Sequence, residues 1–212
     1  IKYSSILEGN IADCNTLSAM IEKLKEHTCG GPAVVVLDAG IATEENLKLI
    51  EEKGYKYLCV SRTKLKDYKY VPDRLTTLLE TKSNQTIRLR SVTTPKNTDY
   101  YLEVKSPSKE KKEQGMKLQF EKRFEDELQK IHAALHRKGG VKNLNKVHQR
   151  IGRAKEKYPS VQHYYTIEVS SEAKTNLATE ITWKKDDTKH AQKNESLGIY
   201  FLRTNLNVQD EI

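Results

Sequence analysis

The sequence predicts an α/β segment followed by an α+β module of antiparallel strands and a helical hairpin. One sign is the stretch "GPAVVVLDAGIATEENLKLIEEKGYKYLCVSR", residues 31–62, which reads strand, helix, strand. Another is the change after Arg62, where strand-like runs alternate with turn-rich connections instead of helices. The last is a pair of long segments with apolar residues every three or four positions, separated by Gly139 and Gly140.

Taken in order, "KYSSILEG" reads as a strand, and "DCNTLSAMIEKLKEH" as a helix with Leu17, Met20, Ile21 and Leu24 on one face and Asp13 or Asn15 as its cap. Gly30, Gly31 and Pro32 break it. The run Val34, Val35, Val36, Leu37 predicts a strand buried on both faces, with Asp38 at its carboxyl end. A helix starts at Thr43, carries Leu47 and Ile50 inward and ends near Gly54, and "YKYLCVS" is the next strand. Residues 63–85 are too weakly periodic to assign. "TIRLRSV" and "YYLEVKS" are strands flanking "TTPKNTD", and the charge-rich run 105–117 reads as a solvated linker with a first helical turn. The first helix of the hairpin carries Met116, Phe120, Phe124, Leu128, Ile131 and Leu135, and the second Leu144, Val147, Ile151, Ala154 and Tyr158, stopped by Pro159. "HYYTIEV", "TEITWKK" and "GIYFLRTN" are the closing strands.

A chain of 212 residues is long enough for a real core, yet only 36% is hydrophobic and 31% is charged. The net charge of +8 favours an anionic partner, nucleic acid before membrane surface. No apolar run approaches the roughly 18 residues of a membrane span, and no signal peptide is visible. Cys14, Cys29 and Cys59 are odd in number and lack a C-x-x-C spacing, which argues against disulfides or a cysteine zinc site and makes the cytoplasm the expected compartment. The start at Ile1 and the stop after "VQDEI" lead us to expect a piece of a longer protein.

A charge at the end of an apolar strand is costly unless it is solvated, paired or holding a cation, which singles out Asp38. His132 and His136 have metal-ligand spacing on a helix, but no third ligand lies at a persuasive distance in sequence, so they read as a wet helix face. Gly139-Gly140 follows a helix rather than a strand and is a helix break, not a phosphate loop. Between Arg137 and Lys157 the only acid is Glu156. Lys142 precedes a stripe of Lys146, Arg150, Arg153 and Lys157, spaced four, three and four, opposite the apolar stripe. Solvated faces usually mix signs, so these five are candidate DNA-phosphate contacts.

Together, "EGNIADCNTL", the 34–62 segment, "FEDELQKIHAAL" with "KVHQRIGRAKEKY", and "GIYFLRTNL" resemble bacterial insertion-sequence transposases of the DDE type. In that branch a β-rich insertion interrupts an RNase H-like core. The resemblance implies a partial RNase H-like core over 1–62, an insertion module with the helical hairpin over 63–205, and a return to the core at 206–212. It makes Asp38, followed by Ala39 and Gly40, the second of three catalytic carboxylates and a metal ligand. It also implies two Mg²⁺ or Mn²⁺ ions for cutting and rejoining DNA, duplex DNA as partner (element ends and target), and a homodimer assembled on DNA.

The family's first Asp would lie before "IKYSS", and its Glu in a Tyr-Arg-Glu-Lys pattern after "LRTNL"; Glu211 precedes that pattern and is not assigned. The family sheet order, 3-2-1-4-5, would leave the Asp38 strand with an exposed edge. The rival readings are a non-catalytic nucleic-acid-binding protein that works through the basic helix, and a Rossmann-like enzyme, disfavoured by the missing Gly-rich loop.

Overall fold

The computed structural model describes residues 8–27, 34–72, 74–95, 99–172 and 175–207, with side chains of 24–27 outside that description. Most of the expected first strand, the glycine-proline break at 30–32, Cys29 and Glu211 lie outside the described residues. The chain divides into two compact units, Ile1–Pro107 with Gly198–Ile212, and Ser108–Leu197.

In chain order, a 3-10 turn (Asp13–Thr16) leads into α1 (Leu17–His27), β1 (Val34–Leu37), α2 (Glu44–Glu52) and β2 (Lys56–Val60). Short β3 (Lys69–Tyr70) and β4 (Thr77–Glu80) precede β5 (Thr86–Thr93) and β6 (Tyr100–Lys105). The second unit holds α3 (Pro107–His136), α4 (Leu144–Lys157), β7 (Tyr165–Glu172), β8 (Leu177–Lys185) and α5 (Asp187–Glu195). β9 (Ile199–Thr204) returns to the first.

The first unit is built on one sheet, ordered β1-β2-β9-β6-β5-β3, with β4 added on β5. β1 and β2 are parallel, Leu37 opposite Cys59, with α2 as the crossover; the other pairings are antiparallel. Leu17 and Ile21 of α1, Leu47 and Ile50 of α2, and Leu37, Tyr57 and Cys59 of the strands share one core. The expectation that β1 is buried on both faces fails: Leu37 is buried but Val36 is 73% exposed. β1 ends the described sheet, and this core covers one face of it only. Met20 is likewise exposed rather than part of the α1 core stripe.

Residues 63–85, unassigned from sequence, supply β3 and a β4–β5 hairpin whose turn closes through Thr81 N–H to Gln85 O at 2.9 Å, with Asn84 left-handed at φ 55°. The pattern was hidden because Leu78 and Leu79, on opposite faces of β4, are both exposed.

In the second unit, Phe124, Leu128, Ile131 and Leu135 of α3 and Val147, Ile151 and Ala154 of α4 form one core with Tyr164, Tyr165, Ala178 and Ile181. Apart from Met116, which is exposed rather than part of the α3 stripe, the two apolar stripes therefore meet each other and the β7–β8 ribbon. Lys157 and Tyr158, at the far end of α4, reach Glu127 and Phe124, so α4 runs back along α3. Gly139, at φ 75°, and Gly140 separate the helices. α3 already begins at Pro107, so the charge-rich run is a solvated helix and not a linker; proline suits a first helical turn. α5 was not anticipated. It buries no residue, so it has no apolar stripe to read, and it is started by Asp186, whose Oδ1 accepts from the Lys189 N–H at 3.1 Å. Glu121, buried on α3, accepts from Lys185 Nζ at 2.6 Å, and His190 Nε2 lies 2.8 Å from its other oxygen. Among the described residues no helix is long and apolar enough to cross a membrane.

Candidate active site

Asp38 directly follows β1, at its carboxyl end, where the chain turns toward α2. Its carbonyl accepts from Ala42 N–H at 3.2 Å, and its Oδ1 accepts from Gly40 N–H. A Cβ at position 40 would stand 3.0 Å from that same oxygen, so the small residue lets the carboxylate fold over the turn. Asn46 fastens the turn, donating from Nδ2 to Ile41 O at 2.7 Å and to Cys14 O at 2.8 Å. Thr43 caps α2 by accepting from Asn46 N–H at 3.2 Å. Asp38 itself is exposed, and among the described residues no cation is paired with it. An exposed carboxylate is a hard oxygen donor of the kind a Mg²⁺-like ion takes, in an ion shell that uses few protein carboxylates and keeps its waters.

Beside this turn opens a cleft of about 330 Å³, lined by Ala42, Thr43, Glu44, Cys59, Ser61 and Arg203 among others. Arg203 of β9 donates from Nε to Asp99 Oδ2 at 2.6 Å and from Nη2 to Glu44 Oε2 at 3.1 Å, with a further bond from Nη1 to the same carboxylate. Burial works against the guanidinium charge, but the hydrogen bonds to Glu44 and Asp99 outweigh it and hold the arginine protonated. In return the Arg203 hydrogen bond keeps the Glu44 carboxyl below its ordinary range. Burial pushes the Cys59 thiol up to about 11, so it is not a thiolate nucleophile at neutral pH. Sequence reasoning did not single out this Glu44–Arg203–Asp99 network. Arg203 lies within the quoted "GIYFLRTNL", but partners at positions 44 and 99 leave no local signal.

The five basic candidates lie in the other unit. Lys142, Lys146, Arg150, Arg153 and Lys157 are all exposed, while Val147, Ile151 and Ala154 on the opposite face of α4 are buried. Lys157 is partly engaged, 3.5 Å from Glu127 and lying over the Tyr158 ring. Asn143 starts the helix by accepting from Lys146 N–H at 3.2 Å. The fold also gives His132 and His136 the third neighbour their sequence lacked, Glu180 of β8.

Residues 5–188 match the family model described as "Transposase DDE domain". The chain belongs to this transposase family. No curated protein and no solved structure matches it. The family acts on DNA, transposing it by strand cleavage and joining, and generally uses divalent metal ions. The match takes in all of β1 and its following turn, so the transposase domain includes Asp38, and it runs on through the helical hairpin to α5.

Proposed function

We propose that Asp38 is a metal-holding carboxylate of a transposase that cuts and rejoins DNA phosphodiesters with two divalent ions, Mg²⁺ or Mn²⁺. The observation that carries this reading is the exposed carboxylate at the end of β1, oriented by Gly40 N–H and free of basic partners among the described residues. Two such ions, when bound, supply an activated water or 3′-hydroxyl and stabilise the departing oxygen. Asp38 contributes a negative oxygen ligand, and the small turn residue beside it leaves room for a DNA backbone. The exposed stripe Lys146, Arg150, Arg153 and Lys157, with Lys142 before it, binds phosphates without reading bases. DNA ends, target duplex and a homodimer assembled on them complete this reading, in a bacterial cytoplasm.

One carboxylate cannot hold two ions, so these 212 residues alone are expected to bind Mg²⁺ weakly and to leave DNA uncut. The decisive experiment uses a protein that also carries the companion carboxylates. There Asp38→Asn, which keeps shape and removes charge, should abolish strand cleavage and leave DNA binding nearly intact. Cleavage at the parent rate would refute the catalytic role. The exposed basic stripe keeps a second reading open: a DNA-binding protein in which Asp38 only closes a turn. That reading expects the Asn variant to lose nothing.

A further inference from the structure

We propose that His132, His136 and Glu180 form a binding site for a borderline transition-metal ion, zinc in the first place, in chemistry separate from that of Asp38. The histidines are four residues apart on α3 and so share one face. Their Nε2 atoms turn to one carboxylate: His132 lies 2.8 Å from Glu180 Oε1 and His136 3.7 Å from Oε2. One donor atom from each of the three residues falls within 4.8 Å of the others. Zinc binds imidazole nitrogen and carboxylate oxygen at about 2.0–2.2 Å, so neighbouring ligands of a tetrahedral ion stand about 3.4 Å apart. The two observed separations bracket that spacing.

Several features favour a metal site over an ion pair alone. A carboxylate needs one imidazolium to be paired, but here both rings present the same nitrogen to it. Glu180 is also oriented from its own strand, its Oε1 accepting from Ile181 N–H at 3.3 Å. A register shift in the β7–β8 ribbon, where Ser170 faces Glu180 but Ser171 faces Ala178, interrupts the in–out alternation just before the carboxylate. Such bulges re-aim side chains. Trp183 meets the His132 ring edge-on at 6.4 Å between centroids, limiting its rotation. The side chains remain 32%, 53% and 42% exposed, so an ion has a path in and water can fill the fourth position.

Two imidazoles select zinc, cobalt or nickel over magnesium, which prefers an all-oxygen shell. The ion would tie the last turns of α3 to β8, which is already fastened to the turn before α4 by Ala178 N–H to Lys142 O at 2.7 Å. Its role is therefore a clasp at the root of the basic helix.

The test uses the whole chain, freed of metal by chelation, titrated with Zn²⁺ by calorimetry and with Co²⁺ by visible absorption. One equivalent of Zn²⁺ should bind, and Co²⁺ should give the absorption of a four-coordinate ion with nitrogen and oxygen ligands. Mg²⁺ at the same concentration should not compete. Losing an outer-shell partner already weakens metal sites about 10–100-fold, so Glu180→Gln should weaken Zn²⁺ binding at least about tenfold. His132→Ala with His136→Ala should abolish it. Circular dichroism of the metal-free variants checks that they fold. If the double variant does not, Glu180→Gln and the histidine NMR signals of the parent, which should shift on Zn²⁺ addition, decide the question. No saturable Zn²⁺ binding by the parent, unchanged affinity in Glu180→Gln, or a sulfur-to-cobalt charge-transfer band pointing to a cysteine would each overturn the proposal.

Discussion

Gly140 is the residue whose identity the fold dictates most directly. A Cβ there would sit 1.9 Å from the carbonyl oxygen of Ala134, an overlap with backbone that no side-chain rotation relieves. Gly140→Ala should therefore destabilise the second unit by about 1–3 kcal/mol, as overpacking does. Gly139→Ala, strained only by its left-handed φ of 75° with open space around it, should lose about 1–2 kcal/mol. Urea unfolding of the two variants compares them; a harmless Gly140→Ala would mean the interhelical turn is not as tight as described. The Glu44–Arg203 bond gives a pH dependence of definite sign. The folded pKa of Glu44 lies below its ordinary 4.5, so the bond adds stability above that pH and loses it as pH falls through the lower folded value. Glu44 is 69% exposed, so the effect is small. The stability gap between parent and Glu44→Gln should narrow below pH 4.5, and a gap that stays constant into acid would contradict the assignment. Cys59, buried and with its thiol raised, should react with thiol reagents only on unfolding, whereas the half-buried Cys14 should label in the native protein.

At the scale of the element, α4 carries an apolar stripe and a basic stripe in 14 residues, with Asn143 as the cap before them. Asn143→Ala removes the acceptor for Lys146 N–H and should lower stability by about 1 kcal/mol, measurable as a fall in thermal midpoint. The basic stripe has a consequence in solution. If Lys146, Arg150, Arg153 and Lys157 all meet phosphates, log affinity should fall against log salt with a slope of about −3.6, roughly a hundredfold loss between 50 and 200 mM. If Lys157 stays on Glu127, three contacts give a slope of about −2.7. Replacing all four by Ala should weaken binding to any duplex alike and flatten the slope. Fluorescence anisotropy at several salt concentrations measures both, and an unaltered slope in the fourfold variant would reduce the stripe to a solvated face.

For the whole molecule, the informative fact is where the second unit leaves and returns. Lys105 and Ile199 are cross-strand partners on β6 and β9, and Ser106 N–H donates to Gly198 O at 3.0 Å. Residues 108–197 are thus inserted at what would otherwise be a hairpin turn, so their removal need not stretch the sheet. A chain in which a short Asn-Gly turn replaces 108–197 should keep the first unit folded, and 108–197 expressed alone should keep its own core. Cooperative thermal unfolding and protected β6 and β9 amides in the shortened chain are the expected results. Loss of both would show that the units depend on each other.

The sequence by itself determined what rests on neighbours along the chain. The Val34–Leu37 strand with Asp38 at its end, the crossover helix capped by Thr43, the parallel strand after Gly54 and the two apolar stripes of the hairpin all follow from side-chain periodicity and local hydrogen bonding, and all are present. The tertiary structure alone decided which strands share a sheet, because the partner of a strand is not written in the strand: β9 lies between β2 and β6, not beside β7 and β8, which precede it. It decided that Val36 faces outward, since a branched apolar run looks the same whether one face is covered or two. It alone gave Arg203 its acids and the α3 histidines their glutamate, because residues so far apart in sequence meet only when the backbone between them has folded.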